Sequence, residues 1–254
     1  MSTIVTDAVT ALSGNLALLP EGSGVVTIDG LTYPAADGSA GQAIVTNASG
    51  VLSFASVGGG LQSRQIFTSS GTWTKPSGIT LVKVIVTGGG GGGGDGNSSN
   101  APSQGGSAGG TSIEFIDVSS ISSETVTIGA AGTRGSGGSG GNGGSSSFGS
   151  LCSATGGTGG GASNSITYMA PGVGSGGDIN LKGGVGGVGA SSQVYGTAAG
   201  GASWWAVGDR NQRATHYFET SSAYPADFGA GGNGNTNNDG QLGGGGFILV
   251  EEYA

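Results

Sequence analysis

Charge is scarce in this chain. Only 9% of its 254 residues are Asp, Glu, Lys or Arg, with 15 acidic against 7 basic. The net charge of −8 and a pI near 4.3 argue against a nucleic-acid binder, which draws its affinity from clustered Lys and Arg facing phosphates. There is one cysteine, Cys152, so no internal disulfide and no cysteine metal cluster can form. Its expected role is that of a small buried apolar residue. Only 6 prolines accompany 61 glycines, and the glycine triplets are not continuous, which excludes a collagen helix. Long apolar runs are missing too. The best, residues 79–87, is short and contains Lys83, so no membrane insertion is expected. The start, MSTIVTDAVT, lacks the basic residues of a secretory signal, and synthesis in a cytosol is expected. Phe, Trp, Leu and Ile are few. Stability must therefore come from hydrogen-bonded glycine packing, oligomerisation, or both, rather than from one large apolar core.

Glycine fills the space these absences leave. It stands far above its usual share of about 7%. The glycine-rich stretch spans residues 88–246, opening with an unbroken run at 88–94 and closing with another at 243–246. Between them GGX units recur. Residues 135–144 put Ser136, Ser139 and Asn142 at every third place, and residues 183–189 do the same with Val185 and Val188. A period of three fits neither α-helix nor strand; it is the period of polyproline II, which has no internal hydrogen bonds. Such a segment has two bare faces and one that carries side chains. Its N–H and C=O groups point sideways and must find partners when buried. Alone it is disordered, because glycine loses more freedom than any other residue on folding. Packed in a bundle it is held by lateral hydrogen bonds. A flexible glycine–serine linker is the rival reading. Apolar, strand-like segments border and interrupt the stretch, which a linker does not need.

Residues 1–20 carry Val5, Val9, Leu12, Leu16 and Leu19 at spacings of four and three, a seam too short for a coiled coil on its own. Residues 21–60 alternate short strand-like pieces with turns, among them 42–46 and 51–55 around the link Asn47-Ala48-Ser49-Gly50. No piece has enough apolar surface to fold alone, and intertwining of identical chains would supply it. From residue 61, two strands flank a turn at Lys75-Pro76-Ser77-Gly78. Strands near Leu81, Ile113, Thr125 and Phe247 are expected to form a β framework from which the glycine segments are excursions. Residues 95–107 are polar and read as an exposed loop.

The run from Asn15 to Ser56 resembles the β stalk segments of tail fibre proteins from tailed phages, especially marine ones. LxLxPxGSG, DGLxYP, ADGxxGQ and NxSGxLxF occur in that order. Residues 65–254, except 202–228, resemble the glycine-rich domain at the distal end of many such fibres. The resemblance rests on TSIEFIDV, ETVTIG, SSSFGSLCSATGG, GSGGDINLKGG and GGGGFILVEEYA. It implies host recognition at a fibre end, without catalysis. The expected architecture is all-β. Residues 1–20 form an N-terminal virion-attachment segment, 21–60 an intertwined β stalk, and 61–254 a distal tip whose β framework carries a polyglycine II bundle. The implied partners are two further copies in a homotrimer, a virion tail protein, and a host glycan or outer-membrane protein. The implied location is the virion, after synthesis in the host cytoplasm.

Residues 204–227 break the composition. They hold Trp204, Trp205, Asp209, Arg210, Arg213, His216, Tyr217, Phe218 and Tyr224. A complex insert between glycine segments is what a recognition loop on a rigid scaffold looks like, and aromatics with Arg are enriched in binding hot spots. Of these, Trp204, Trp205, Asp209, Arg210, Arg213, His216, Tyr217 and Tyr224 are the candidate receptor-binding residues. The competing role for each aromatic is to plug a core short of bulk. Catalytic patterns are by-products of composition. Residues 135–140 fit GxGxxG without a preceding strand or a following helix, and 137–141 and 105–109 fit GxSxG without an α/β context. No cofactor, metal site or enzymatic activity is expected. Rival readings are a structural virion decoration or fibre protein, an ice-binding protein built on a flat polyglycine bundle, and a depolymerase.

Overall fold

The computed structural model describes residues 27–28, 30–34, 37–39, 41–56, 60–96, 102–162, 169–189, 197–207, 228–235 and 240–254. Every regular element among them is a β-strand, and the fold is all-β. The chain divides into two compact units, Met1–Gly59 and Gly60–Ala254.

In the first unit, β1 (Thr27–Ile28) pairs antiparallel with β2 (Leu31–Thr32), and Gly30 takes the positive φ that their tight turn needs. β3 (Gln42–Thr46) pairs with β4 (Leu52–Ser56) across Asn47 to Val51, the hairpin the sequence outlines. Side-chain oxygens fasten the link: the Asn47 carboxamide accepts from the N–H groups of Ser49 (2.8 Å) and Val51 (3.1 Å). Ile44 and Val45 point to opposite faces of this hairpin, and both are exposed. A two-stranded hairpin with apolar side chains on two open faces has no core of its own.

The second unit contains two five-stranded sheets. The first runs β13 (Ile179–Leu181), β8 (Thr111–Asp117), β7 (Leu81–Thr87), β16 (Phe247–Tyr253), β5 (Leu61–Phe67). The second runs β12 (Gly174–Ser175), β11 (Cys152–Ala154), β10 (Ser146–Phe148), β9 (Ser123–Thr127), β6 (Gly71–Thr74). A further pair, β14 (Thr197–Ala198) with β15 (Gly234–Asn235), lies within the glycine-rich stretch. All pairings between these strands are antiparallel. Alternation decides what goes inside. Val82, Val84 and Val86 of β7 point inward beside Ile248 and Val250 of β16, and meet Trp73, Val126, Phe148, Cys152 and Ala154 of the second sheet. The Trp73 and Phe148 rings lie 5.5 Å apart at 58°.

Glu252 is buried in the same layer. It accepts hydrogen bonds from the Trp73 indole N–H (2.8 Å), the Gln65 amide (2.6 Å) and the Ser63 hydroxyl. A buried carboxylate survives only with such partners. On the opposite face of the first sheet, the register sets Ile66, Leu249, Ile85, Ile113 and Ile179 in one cross-strand row. The two end members, Ile66 and Ile179, are 63% and 51% exposed. Beside this row Glu251 bonds both Lys83 and Arg64 at 3.1 Å. Burial works against its charge, but these two cations outweigh it and hold the carboxyl below its usual range.

The glycine stretch is organised around residues 88–94, which continue directly from β7. Their N–H groups donate in rotation to three antiparallel neighbours. Gly88, Gly91 and Gly94 donate to Gly110, Ser107 and Gln104; Gly89 and Gly92 to Gly144 and Gly141; Gly90 and Gly93 to Gly244 and Gln241. Their carbonyls accept in the same rotation from three parallel neighbours. Gly157 and Gly160 donate to Gly89 and Gly92, Gly132 and Gly135 to Gly90 and Gly93, and Gly232 and Asn235 to Gly91 and Gly94. Each neighbour is thus met again after three residues, at 2.8–3.0 Å, and six segments surround the central one. The side chains of the GGX units face outward, as their spacing predicts: Ser136, Ser139, Asn142, Val185 and Val188 are exposed. Residues 103–107 depart from the loop reading. Ser103, Gln104 and Ser107 are buried, because this polar segment is one of the six neighbours and its backbone partners the central run.

Close approach is what requires glycine here. A Cβ on Gly90 or Gly93 would lie 1.8 Å from the carbonyl oxygen of Ala230 or Asn233, and one on Gly91 would lie 2.1 Å from that of Thr158. A Cβ on Gly245 would meet nothing within 4 Å. Gly91→Ala is therefore expected to cost at least about 3 kcal/mol, the upper range of overpacking. Gly245→Ala should stay within about 0.5 kcal/mol. Denaturant titration of the two variants checks the contrast, and equal losses would refute the close-packing account.

Cys152 is buried, and desolvation pushes its thiol up from 9.0 to about 12. The folded chain is expected to resist thiol reagents at pH 8 and react only on unfolding. Because the folded pKa is the higher one, this thiol favours folding below pH 9 and that contribution is lost as pH rises toward about 12. Cys152→Ala should flatten that part of a stability–pH curve.

Candidate functional site

The glycine segments lead to one bend where the composition changes. Residues 183–187 and 199–202 run antiparallel, with Gly187 N–H donating to Ala199 (2.7 Å) and Gly184 N–H to Ala202 (2.8 Å). The first of these segments follows β13, which is pinned to β8 where Leu181 faces Thr111. The second turns sharply at Ser203, and that turn is fastened on several sides. The Ser203 N–H donates to Ala206 (2.8 Å). Its hydroxyl accepts from the N–H groups of Trp205 (3.2 Å) and Ala206 (3.0 Å) and donates to the Phe228 carbonyl (2.6 Å). Serine is suited to this place because its hydroxyl can satisfy nearby backbone groups in a turn.

The bend separates the two tryptophans. Trp205 turns toward the sheet. Its indole N–H donates to the Thr87 hydroxyl (3.0 Å), and its ring stands edge-on to Phe247 at 4.9 Å and 70°. Phe228 packs on the other side of this cluster, 4.5 Å from Phe247. Trp204 points outward and remains 55% exposed. It borders an open depression of about 210 Å³ lined also by Thr111, Leu181, Lys182 and Ser203. Thr111, itself buried beneath the depression, shares a 2.9 Å hydrogen bond with Thr87, which accepts from the half-buried Trp205 indole. Lys182 belongs to neither ion pair found among the described residues, both of which involve Glu251.

Of the candidate residues named from the sequence, Trp204 and Trp205 are described. Asp209, Arg210, Arg213, His216, Tyr217 and Tyr224 lie outside the described residues. The two tryptophans adjoin in sequence but do different things: one packs, the other is displayed. Lys182 was not among the candidates. Its signal was a lone cation ending the INLK piece just before a GGX run. Ser107 of one GxSxG pattern is buried in the glycine core with its hydroxyl directed to the Met169 carbonyl at 3.4 Å. Ser139 of the other accepts from the Ala162 N–H at 3.3 Å. Among the described residues, no group of three His, Cys, Asp or Glu side chains could hold a metal ion. Around the depression the described residues bring together one exposed aromatic, one ammonium group and a serine hydroxyl on a fastened turn.

No curated protein matches this chain. Residues 63–251, well over half of its length, match the family model of a glycine-rich domain. The match covers both β-sheets except the outer ends of β5 and β16, and the whole hydrogen-bonded glycine core, and on that basis the chain belongs to the glycine-rich domain family.

Proposed function

We propose that this chain is an adhesin of a tailed phage, a tail fibre or tail-tip protein that recognises a host cell-surface glycan or outer-membrane protein. The observation that carries the reading is the fastened bend at Ser203, at the start of the non-glycine sequence 204–227, with Trp204 facing solvent. Binding residues concentrate on loops held by a rigid scaffold. A tryptophan 55% exposed on a turn secured by four hydrogen bonds is suited to display.

In this reading the glycine core is a polyglycine II bundle. Support comes from the return of each backbone bond to the same neighbour after three residues, the repeat of threefold extended segments. The functional particle is a homotrimer. Two observations favour assembly with further copies: the coreless hairpin of β3 and β4, and the exposed isoleucines Ile66 and Ile179 at the two ends of the first sheet's apolar row. Residues 1–20 attach to a virion tail protein and 21–60 form the stalk. The chain is made in the host cytoplasm and acts on the virion. The mechanism is adhesion without catalysis or cofactor, with weak single contacts multiplied by copy number.

A structural fibre protein without a receptor shares this fold and assembly, and Trp204 is the feature that it leaves without a use. Exchanging residues 204–227 for a glycine–serine segment of equal length separates the two. Attachment of particles to the host on which they plate is expected to fall at least about tenfold, as loss of a hot-spot cluster would give. Attachment at the parental level, with the chain still folded and incorporated, would refute the adhesin reading and favour the structural one.

A further inference from the structure

The depression beside Trp204 has a chemistry that narrows the ligand. We propose that Trp204 and Lys182 form a subsite for an acidic sugar, with the pyranose ring on the indole and its carboxylate on the lysine ammonium. The proposal rests on the adhesin reading for its biological setting and on the geometry for its chemistry.

The indole comes first. A sugar ring presents a face of C–H groups, and a flat exposed aromatic is the surface that covers it without demanding hydrogen bonds. Trp204 is 55% exposed, yet its backbone is not free to swing. The Ser203 hydroxyl bonds the N–H groups of Trp205 and Ala206 and the carbonyl of Phe228, and this fixes the turn on both sides of the ring. Little ordering entropy is then left for a ligand to overcome.

The cation comes second. Lys182 borders the same depression, and it belongs to neither ion pair among the described residues. Asp178 and Lys182 flank β13 at its two ends, four residues and about 13 Å apart at strand rise. That exceeds the Debye length of about 8 Å at physiological salt. The carboxylate of Asp178 is moreover engaged by the Phe115 N–H (3.3 Å), and that of Glu114 by the Asp178 N–H (2.5 Å). In a chain of net charge −8, an ammonium group beside a displayed aromatic is a local attraction for an anion.

The hydroxyls come third. The Ser203 hydroxyl is occupied by the turn. That of Thr111 is tied to Thr87, which is tied in turn to the Trp205 indole. Thr111 is moreover only 2% exposed, so the polar part of the subsite falls to Lys182. A neutral sugar would use the indole but leave Lys182 idle. An isolated phosphate would use Lys182 but leave the indole idle. A uronic acid uses both.

The test is calorimetric titration of the full chain with a tetrasaccharide of galacturonic acid, against cellotetraose as the neutral control. Binding of the acidic sugar is expected to weaken about tenfold in Trp204→Ala, the scale of a lost aromatic contact. It should weaken about fivefold in Lys182→Gln, the scale of a lost exposed ion pair, with cellotetraose binding unchanged. Trp204→Tyr should retain most of the affinity, and Lys182→Arg likewise. These two keep the proposal open to refutation should Trp204→Ala unfold. No binding of the galacturonate, or binding that is the same in Trp204→Ala and Lys182→Gln, overturns the subsite. Failure here is distinguishable from failure of the adhesin reading. Attachment that depends on residues 204–227 in a chain that ignores galacturonate removes the subsite alone. Galacturonate binding through Trp204 in a chain that attaches equally well without the insert supports the subsite and removes the adhesin reading.

Discussion

The structure depends on lateral hydrogen bonds between backbones that approach closer than any side chain permits. Residues 88–94 sit at the centre of six neighbours, giving N–H groups to three and receiving them from three others. A Cβ on any of these seven glycines would stand 1.8–2.3 Å from a carbonyl oxygen. Glycine is therefore required there for space. The arrangement answers the main cost of a glycine-rich chain, because each residue fixed is matched by a backbone bond in a dry interior. It also explains how so few large apolar residues suffice. The sandwich between the two sheets is small, and β7 and β16 join directly to the central and closing glycine runs, so sandwich and glycine core are built from the same continuous segments.

That continuity positions the candidate site. β7 ends at Thr87, whose hydroxyl receives the Trp205 indole N–H; β16 begins at Phe247, against which Trp205 and Phe228 pack. The place where the sheet becomes glycine core is thus the place where the insert is anchored, by Trp205 on one side and Phe228 on the other. Trp204 is displayed because its two neighbours are tied down. An adhesin built this way would hold its contact residues on backbone hydrogen bonds rather than on a large apolar core.

Parts of this were legible in the sequence. Apolar, strand-like segments bordering and interrupting the glycine stretch placed β7, β8, β9 and β16, and the period of three put Val185 with Val188 on one face of their segment. Which glycine segment meets which was not legible. Register in a sheet is set by side chains that differ from face to face, and seven consecutive glycines offer none. For the same reason residues 103–107 read as an exposed loop, since their polar side chains outweighed a backbone role that composition does not encode. The division of labour between Trp204 and Trp205 was equally hidden. It follows from the Ser203 turn and from Thr87 and Phe247, which lie about 120 residues before and 40 residues after it in the chain. Lys182 became visible only when residues 183–187 and 199–202 were found side by side.

Residue-resolved amide hydrogen exchange of the folded chain measures the central claim most directly. If residues 88–94 are the hydrogen-bonded centre of a packed array, their amides should exchange as slowly as those of Val82, Val84 and Val86 in β7, through global opening. Exchange of 88–94 at the rate of an unstructured glycine chain, with β7 still protected, would contradict the account and return the stretch to a flexible linker between strands.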